Sequence, residues 1–146
     1  MGSRLRIAIV RAEFNPKITE SLEKACVSGL ESAGIPPARI ERFTVPGCFE
    51  IPLMAQRLAK KRRFDALIAL GAVIRGDTLH FELVAAECAG GIMKVSLKYD
   101  IPIIFEVLAV YRRKDALLRA GNNEMNKGFE AAAAAISLLG RLEGLG

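Results

Sequence analysis

Short apolar runs alternate along this chain with longer segments of helical periodicity. The apolar and β-branched runs predict four strands, at residues 5–10, 40–45, 66–74 and 103–110. Helical spacing of apolar positions predicts five helices, at residues 16–33, 51–61, 79–99, 115–120 and 127–142. The third strand, ALIALGAVI, is apolar throughout, which is typical of a strand buried on both faces of a parallel sheet.

This alternation of strands and helices predicts the fold class. It indicates an α/β protein, a three-layer α/β/α sandwich around a four-stranded, mostly parallel sheet. Residues 1–146 contain no repeat, no low-complexity linker and no break in composition, so we expect a single domain. Asn15 followed by Pro16 predicts an N-cap and a first helical residue, whereas Gly90-Gly91 is the weakest point of the third helix.

The charge of the chain does not by itself identify a partner. Its net charge is +5, and its basic residues cluster mainly at 60–63 and 112–114. No aromatic residue interrupts either run, although stacking on bases would need one. We therefore interpret both runs as solvated helix ends and expect no nucleic-acid partner. No uninterrupted apolar segment reaches the length of a membrane span, so we expect no membrane partner either.

The cysteines and the lone histidine limit the metal chemistry available. Cys26, Cys48 and Cys88 are widely spaced, and His80 is the single histidine. This pattern favours neither a disulfide framework nor a zinc site. We expect no metal and a reduced, cytoplasmic protein.

Ligands of parallel α/β sheets bind beyond the carboxyl ends of the strands, so the loops there are the candidate sites. Those loops are residues 12–15, 46–50 and 74–80, together with the stretch after Phe105. In the loop at 74–80, Thr78 can cap the next helix and the backbone N–H groups suit a phosphate. An ordinary strand-to-helix turn remains the alternative. A P-loop is excluded, because Asp77 stands where its lysine would be.

Several side chains in these loops have two interpretations. His80 ionises near neutral pH and suits proton transfer, but a lone histidine is commonly structural. Phe14 and Phe49 suit stacking on a planar heterocycle, or packing in the core. Glu50 suits either a ligand contact or the positive end of a helix dipole.

Four motifs together resemble the lumazine synthase family. They are RAEFN with a following IT (11–19), VPGCFEIP (45–52), GAVIRGDTLHFE (71–82) and RAG…NKG (119–128). The resemblance follows almost the whole chain in order and implies a flavodoxin-like fold. It implies a transferase of riboflavin biosynthesis that condenses 5-amino-6-ribitylamino-pyrimidinedione with dihydroxybutanone phosphate to give dimethyl-ribityllumazine. No metal or redox cofactor is implied, and the intact RGDTLHFE motif disfavours a paralogous riboflavin synthase.

The resemblance also implies roles for individual residues. The catalytic set is His80, Arg119 and Lys127, with His80 moving protons and Arg119 assisting at the phosphate. Phe14 would stack on the pyrimidine ring, and the 76–78 amides would bind the phosphate. The substrate-binding set as a whole is Phe14, Asn15, Gly47, Cys48, Phe49, Glu50, Val73, Ile74, Gly76, Asp77, Thr78 and Phe105.

Family sites lie between subunits, so the resemblance implies a homo-oligomer. Phe105 and Lys127 would reach the site of a neighbouring subunit, and we expect a homopentamer. Some members form sixty-subunit icosahedral shells. Members usually carry a further N-terminal segment that can pair with an adjacent subunit, whereas four residues precede the first predicted strand here, which disfavours the larger shell.

Residues 106–118 depart from the family pattern. Glu106 replaces a glycine, residues 109–111 replace a polar Thr-Thr-Asp turn, Arg113 replaces an apolar residue and Leu118 replaces an acid. The gain of apolar side chains predicts an interaction surface, although ordinary divergence also explains it. The alternative function is therefore an engineered pentameric building block of a multi-component protein cage, with 106–118 contacting a second protein component. We expect Glu106 to face solvent, opposite to Phe105.

Overall fold

The computed structural model describes residues 4–146. The four strands are β1 (Ile7–Ala12), β2 (Ile40–Val45), β3 (Ala66–Ile74) and β4 (Ile103–Val110). The five α-helices are α1 (Pro16–Ser32), α2 (Ile51–Lys60), α3 (His80–Tyr99), α4 (Arg113–Arg119) and α5 (Lys127–Glu143). Two 3-10 turns lie before β2 and α2, at Pro37–Arg39 and Cys48–Glu50.

The strands form one parallel sheet in the order β2-β1-β3-β4. Ile7 of β1 lies between Ile40 of β2 and Ala66 of β3, and Leu67 of β3 lies beside Ile103 of β4. Helices cover both faces, so the flavodoxin-like α/β/α class is confirmed, and the sheet is parallel throughout. β2 and β4 form its two edges.

Each face of the sheet has its own apolar core. Ile68 and Leu70 of β3 pack with residues of α1, α4 and α5, such as Leu22. Leu67 and Ala69 pack on the other face with residues of α2 and α3, such as Ile92. β3 therefore needs apolar side chains on both faces, which explains its unbroken apolar sequence.

Small residues let helices approach one another closely at two places. A Cβ on Gly29 of α1 would lie 2.8 Å from the Cβ of Ala132 in α5, within the buried part of the alanine run. A Cβ on Gly91 of α3 would lie 2.7 Å from the side chain of Pro52 in α2. The α3 helix runs unbroken through Gly90-Gly91, because the missing side chain at Gly91 makes room for α2.

The ends of some elements differ from the sequence-based prediction. β1 begins at Ile7 rather than at Leu5, and α4 begins at Arg113 rather than at Asp115. Asn15 precedes α1 but its side chain makes no capping hydrogen bond, and its φ of 62° places it in the left-handed region. Met1–Ser3 lie outside the described residues, so the expectation based on the short N-terminal segment stays a prediction.

Candidate active site

The carboxyl ends of the four strands meet at one edge of the sheet. Ala12 of β1 lies beside Val45 of β2, and Ile74 of β3 lies beside Val110 of β4. The loop after each strand therefore opens on the same side of the molecule. Backbone hydrogen bonds continue past the strands, with the Arg75 N–H donating to the Val110 oxygen at 2.9 Å.

The β1–α1 loop presents an exposed aromatic ring on a fixed backbone. The N–H groups of Glu13 and Phe14 donate to the carbonyl oxygens of Val45 and Pro46, at 2.8 and 3.1 Å. The Phe14 side chain is 73% exposed although its backbone is held in place. Its ring is therefore available for stacking, and the core-packing interpretation of Phe14 is wrong.

An open cavity of about 570 Å³ lies around this ring. Loop residues, the start of α1 and one residue of α4 line it: Glu13, Phe14, Asn15, Pro16, Lys17, Pro46 and Arg113. Arg113 donates a hydrogen bond to Asn15 Oδ1 at 3.4 Å, which connects α4 to the β1–α1 loop. The cavity thus combines an apolar ring face with polar and cationic groups.

The β2–α2 loop exposes Phe49 and Glu50 and buries Cys48. The Cys48 side chain is 4% exposed, and a Cβ on Gly71 would lie 2.6 Å from its Sγ. Burial raises the pKa of this thiol to about 11. The Cys48 side chain packs in the core, so the predicted contact of Cys48 with substrate is a contact through its backbone.

Backbone groups dominate the segment between β3 and α3. Val73 is buried and Ile74 is half-buried, so both contribute main chain rather than side chain to this edge. The residues 75–80 are exposed, and within residues 4–146 the N–H groups of 76–78 make no hydrogen bond. Free N–H groups before a 20-residue helix suit an anion such as phosphate.

His80 is the first residue of α3 and is exposed. Its backbone N–H donates to Thr78 Oγ1 at 3.3 Å. The residue that directly precedes the helix is Leu79, whose side chain makes no capping hydrogen bond, so the prediction of Thr78 as the N-cap is wrong. No hydrogen bond or ion pair occupies the imidazole among the described residues. The imidazole is therefore not held by a structural contact and is accessible to a ligand.

Phe105, Arg119 and Lys127 lie away from the cavity at Phe14. Phe105 is on the α2–α3 side of the sheet, whereas Lys127 lies near Glu106 on the other side. Phe105 lies level with Ala69 in the middle of β4 and is 42% exposed. It precedes Val110 by five residues, a distance of about 17 Å along a strand. Arg119 donates to the Asp115 backbone oxygen at 2.9 Å. Within one chain, these residues do not complete the cavity at Phe14.

Lys127 belongs to a small charged cluster at the start of α5. Its Nζ lies 2.8 Å from Glu130 Oε2, and this hydrogen bond raises the pKa of Lys127. Glu106 on β4 faces the same side of the sheet, where burial and the nearby Glu130 raise its pKa to about 7 while Lys127 lowers it. Glu106 is therefore opposite to Phe105, as expected, but it is half-buried against α5, and the prediction that it faces solvent is wrong.

The predicted interaction surface at 106–118 is smaller than expected. Val110 is buried in the core with α5, and Tyr111 packs on Phe81 with ring centroids 6.3 Å apart. Leu118 is 71% exposed and Leu117 is also exposed. Tyr111 nevertheless remains 70% exposed, so the apolar surface in this segment consists mainly of Tyr111 together with Leu117 and Leu118 on α4.

Sequence reasoning missed two residues of this region. Arg113 lines the cavity at Phe14, although the sequence marked it only as a departure in a surface segment. Glu130, which is paired with Lys127, was not singled out. Its position three residues after Lys127 on a helix was the signal that could have identified it.

Within residues 4–146, the basic runs form surface ion pairs, and the acidic residues and cysteines do not cluster as metal ligands would. Arg63 pairs with Glu41 at 2.7 Å, and Arg112 pairs with Asp115 at 3.2 Å. Across residues 4–146 no three His, Cys, Asp or Glu side chains lie close enough together to hold a metal ion. In the same residues no helix has the length and apolar character needed to cross a membrane.

Comparison with known families agrees with the motifs and the fold. The sequence model of the 6,7-dimethyl-8-ribityllumazine synthase family matches residues 4–143. The chain belongs to the lumazine synthase family. Lumazine synthases are transferases of riboflavin biosynthesis, bind substrates and typically assemble as oligomers. The four-stranded parallel sheet with helices on both faces is the lumazine synthase fold.

Proposed function

We propose that this chain is an active lumazine synthase, folded as a single domain and located in the cytoplasm. It condenses 5-amino-6-ribitylamino-pyrimidinedione with dihydroxybutanone phosphate, through imine formation, loss of phosphate and ring closure. The observation that carries the proposal is the exposed His80 next to the free N–H groups of residues 76–78. A proton-transfer group and an anion-binding backbone thus adjoin each other at the open edge of the sheet.

Each part of the edge has a place in this reaction. The exposed Phe14 ring stacks on the pyrimidinedione. The main chain at Val73 and Ile74 makes hydrogen bonds with the polar groups on the rim of that ring. Residues 47–50 contact the ribityl chain, with Cys48 acting through its backbone. The free N–H groups of 76–78 bind the phosphate. His80 transfers protons as the imine forms and as phosphate leaves.

We propose that a neighbouring subunit completes the site with Phe105, Arg119 and Lys127. Phe105 supports this, because it lies about 17 Å from the carboxyl end of its own strand yet is exposed at the sheet edge. Arg119 and Lys127 would add positive charge near the phosphate. Activity then requires an oligomer, which we propose to be a homopentamer.

An apolar stripe on α3 supports self-association. Leu83, Met93 and Leu97 are exposed, and Ala86 and Gly90 lie between them at alternating intervals of three and four residues. Such spacing places all five on one face of the helix, and a continuous exposed apolar face favours association. Closed cyclic symmetry would bury this face in every subunit.

The stripe gives a test of the proposed pentamer. Leu97→Glu and Met93→Glu are expected to shift the native mass toward smaller species in light scattering and to abolish turnover. Lys98→Glu changes an exposed residue of the same helix that points about 100° away from Leu97 and should leave the mass unchanged. A native mass of five subunits that persists in both stripe variants would contradict this interface.

The activity itself is tested by a steady-state assay with both substrates, followed by the absorbance of the lumazine product. We expect turnover in the unsubstituted protein and a loss of about 10²-fold or more in kcat for His80→Ala, as for other general acid–base residues. His80→Gln is the matched variant that keeps size and polarity but cannot transfer protons. An undiminished rate in either variant would remove the proposed role of His80.

Leu117 and Leu118 favour a second candidate function. Two adjacent exposed leucines on α4 suit a contact with another protein, as in a pentameric building block of a natural or engineered multi-component cage. Leu118→Glu should then make the larger assembly dissociate and leave the pentamer itself intact. Val110 is unsuited to this test because it is buried. An unchanged assembly state in Leu118→Glu would dismiss this function.

A further inference from the structure

Arg113 is a cation inside the candidate substrate cavity. It extends from the first residue of α4 and lines the same cavity as Phe14 and Asn15. Its Nη1 donates to Asn15 Oδ1 at 3.4 Å, a long contact that places the guanidinium next to the β1–α1 loop. Among the described residues Arg113 has no ion pair, whereas its neighbour Arg112 pairs with Asp115.

Local helix stability does not account for this arginine. A positive charge at the start of a helix opposes the helix dipole, which costs up to about 1 kcal/mol. Asp115 in the first turn already provides the favourable charge and is paired with Arg112. Arg113 thus adds an unfavourable local charge and leaves most of its five N–H donors free.

The surroundings of Arg113 indicate what those donors bind. The residues that line its cavity include the Phe14 ring but none of the residues 76–80 that present free backbone N–H groups. The phosphate-binding segment and Arg113 are therefore separate features of the edge. A planar guanidinium beside an exposed aromatic face suits a flat ligand that carries oxygen acceptors on its rim.

We infer that Arg113 binds a carbonyl oxygen of the planar dione stacked on Phe14 and so determines affinity for that substrate. This rests on the proposed function, because the dione is one of its two substrates. Asn15 orients the guanidinium, and Glu13 and Lys17 are the other charged groups of the cavity.

Equilibrium binding of the ribitylamino-pyrimidinedione alone tests the inference without turnover. We expect Arg113→Gln to weaken binding about tenfold, as for loss of one charge-assisted hydrogen bond at a solvated site. Arg113→Lys keeps the charge but loses the planar fork, and it should recover only part of the affinity. Lys114→Gln removes an adjacent exposed charge and should change Kd less than twofold.

Steady-state kinetics separate this role from a structural one. In Arg113→Gln, KM for the dione should rise about tenfold while kcat and KM for dihydroxybutanone phosphate stay within about twofold. A rise in KM for the phosphate substrate instead, or unchanged dione binding, would overturn the inference. Failure of the unsubstituted protein to bind the dione would overturn the proposed function as well.

Discussion

The side-chain amide of Asn15 donates a hydrogen bond to the backbone oxygen of Ala72 at 3.2 Å, which joins the β1–α1 loop to β3. Asn15 has a φ of 62°, and asparagine tolerates this left-handed conformation better than most residues. The conformation of the loop beside the exposed Phe14 ring therefore depends on Asn15 in two ways, through its backbone φ and through its side-chain hydrogen bond. The contact holds the β1–α1 loop against β3 at the candidate site.

Asn15→Ala is expected to lower the free energy of unfolding by about 1–2 kcal/mol, from the strained φ and the lost hydrogen bond. Asn15→Gly is the matched variant, because glycine adopts this φ without strain and loses only the side-chain hydrogen bonds with Ala72 and Arg113. In urea unfolding, the glycine variant should therefore have a higher free energy of unfolding than the alanine variant. The reverse order would show that backbone strain at Asn15 is unimportant.

Asn126 is 3% exposed and supports the start of α5. Its Oδ1 accepts from the Gly128 N–H at 2.8 Å, and its Nδ2 donates to the oxygens of Ser21 and Gly121. We expect Asn126→Ala to cost about 2–3 kcal/mol, since it removes a helix cap and leaves buried polar groups unpaired. Asn122→Ala, at an exposed asparagine of the same loop, should cost about 0.5 kcal/mol or less in the same urea titration. Equal costs for both variants would contradict the structural role of Asn126.

The order of elements and the fold class were predictable because their signals are local. β2, β3 and β4 have the predicted bounds, since each is a short apolar run flanked by polar or turn residues. The Gly90-Gly91 pair in the sequence argued against a continuous α3. The helix is continuous, and Gly91 is needed there because Pro52 of α2 packs against it, a contact that no local sequence pattern reveals. Tertiary packing decided that position against helix propensity.

The candidate site was less predictable because it depends on which way side chains face. Period-two alternation correctly placed Glu106 and Phe105 on opposite faces, but it could not show that α5 covers Glu106. Cys48 stood in a recognised motif, and its burial follows from contact with Gly71, which is distant in sequence. Arg113 reaches the cavity through a contact with Asn15 across 98 positions.

Gly128 lies where α5 crosses α1. A Cβ at this position would meet the Leu22 backbone oxygen, and it would lie 2.9 Å from the Cβ of Ala25. Gly128→Ala is therefore expected to lower the free energy of unfolding by about 1–3 kcal/mol through overpacking. The control is Gly144→Ala, at an exposed helix end with φ of −66°, which should not destabilise the protein. A thermal midpoint for Gly128→Ala equal to that of the control would show that α1 and α5 separate at no cost.

Glu106 makes stability depend on pH in a defined direction. Its pKa rises from 4.5 to about 7 because of burial and Glu130, so between these values the folded protein retains a proton that the unfolded chain has lost. The contribution of this group therefore favours the folded state fully below about pH 4.5 and is lost as pH rises toward 7. The groups that face it are Glu130 and Lys127 of α5, with Cys26 of α1 on the same side.

Glu106→Gln removes the titrating group and should stabilise the protein selectively at high pH. We expect little difference from the unsubstituted protein at pH 4.5 and a gain of about 1–3 kcal/mol at pH 8, since partial exposure reduces the full effect of the shift. Urea unfolding at one protein concentration, repeated from pH 4.5 to 8, measures this difference. Glu143→Gln alters an exposed acid at the end of α5 and should follow the unsubstituted protein at every pH. A stability gain that is the same at pH 4.5 and pH 8 would mean that Glu106 is destabilising for a reason other than its ionisation.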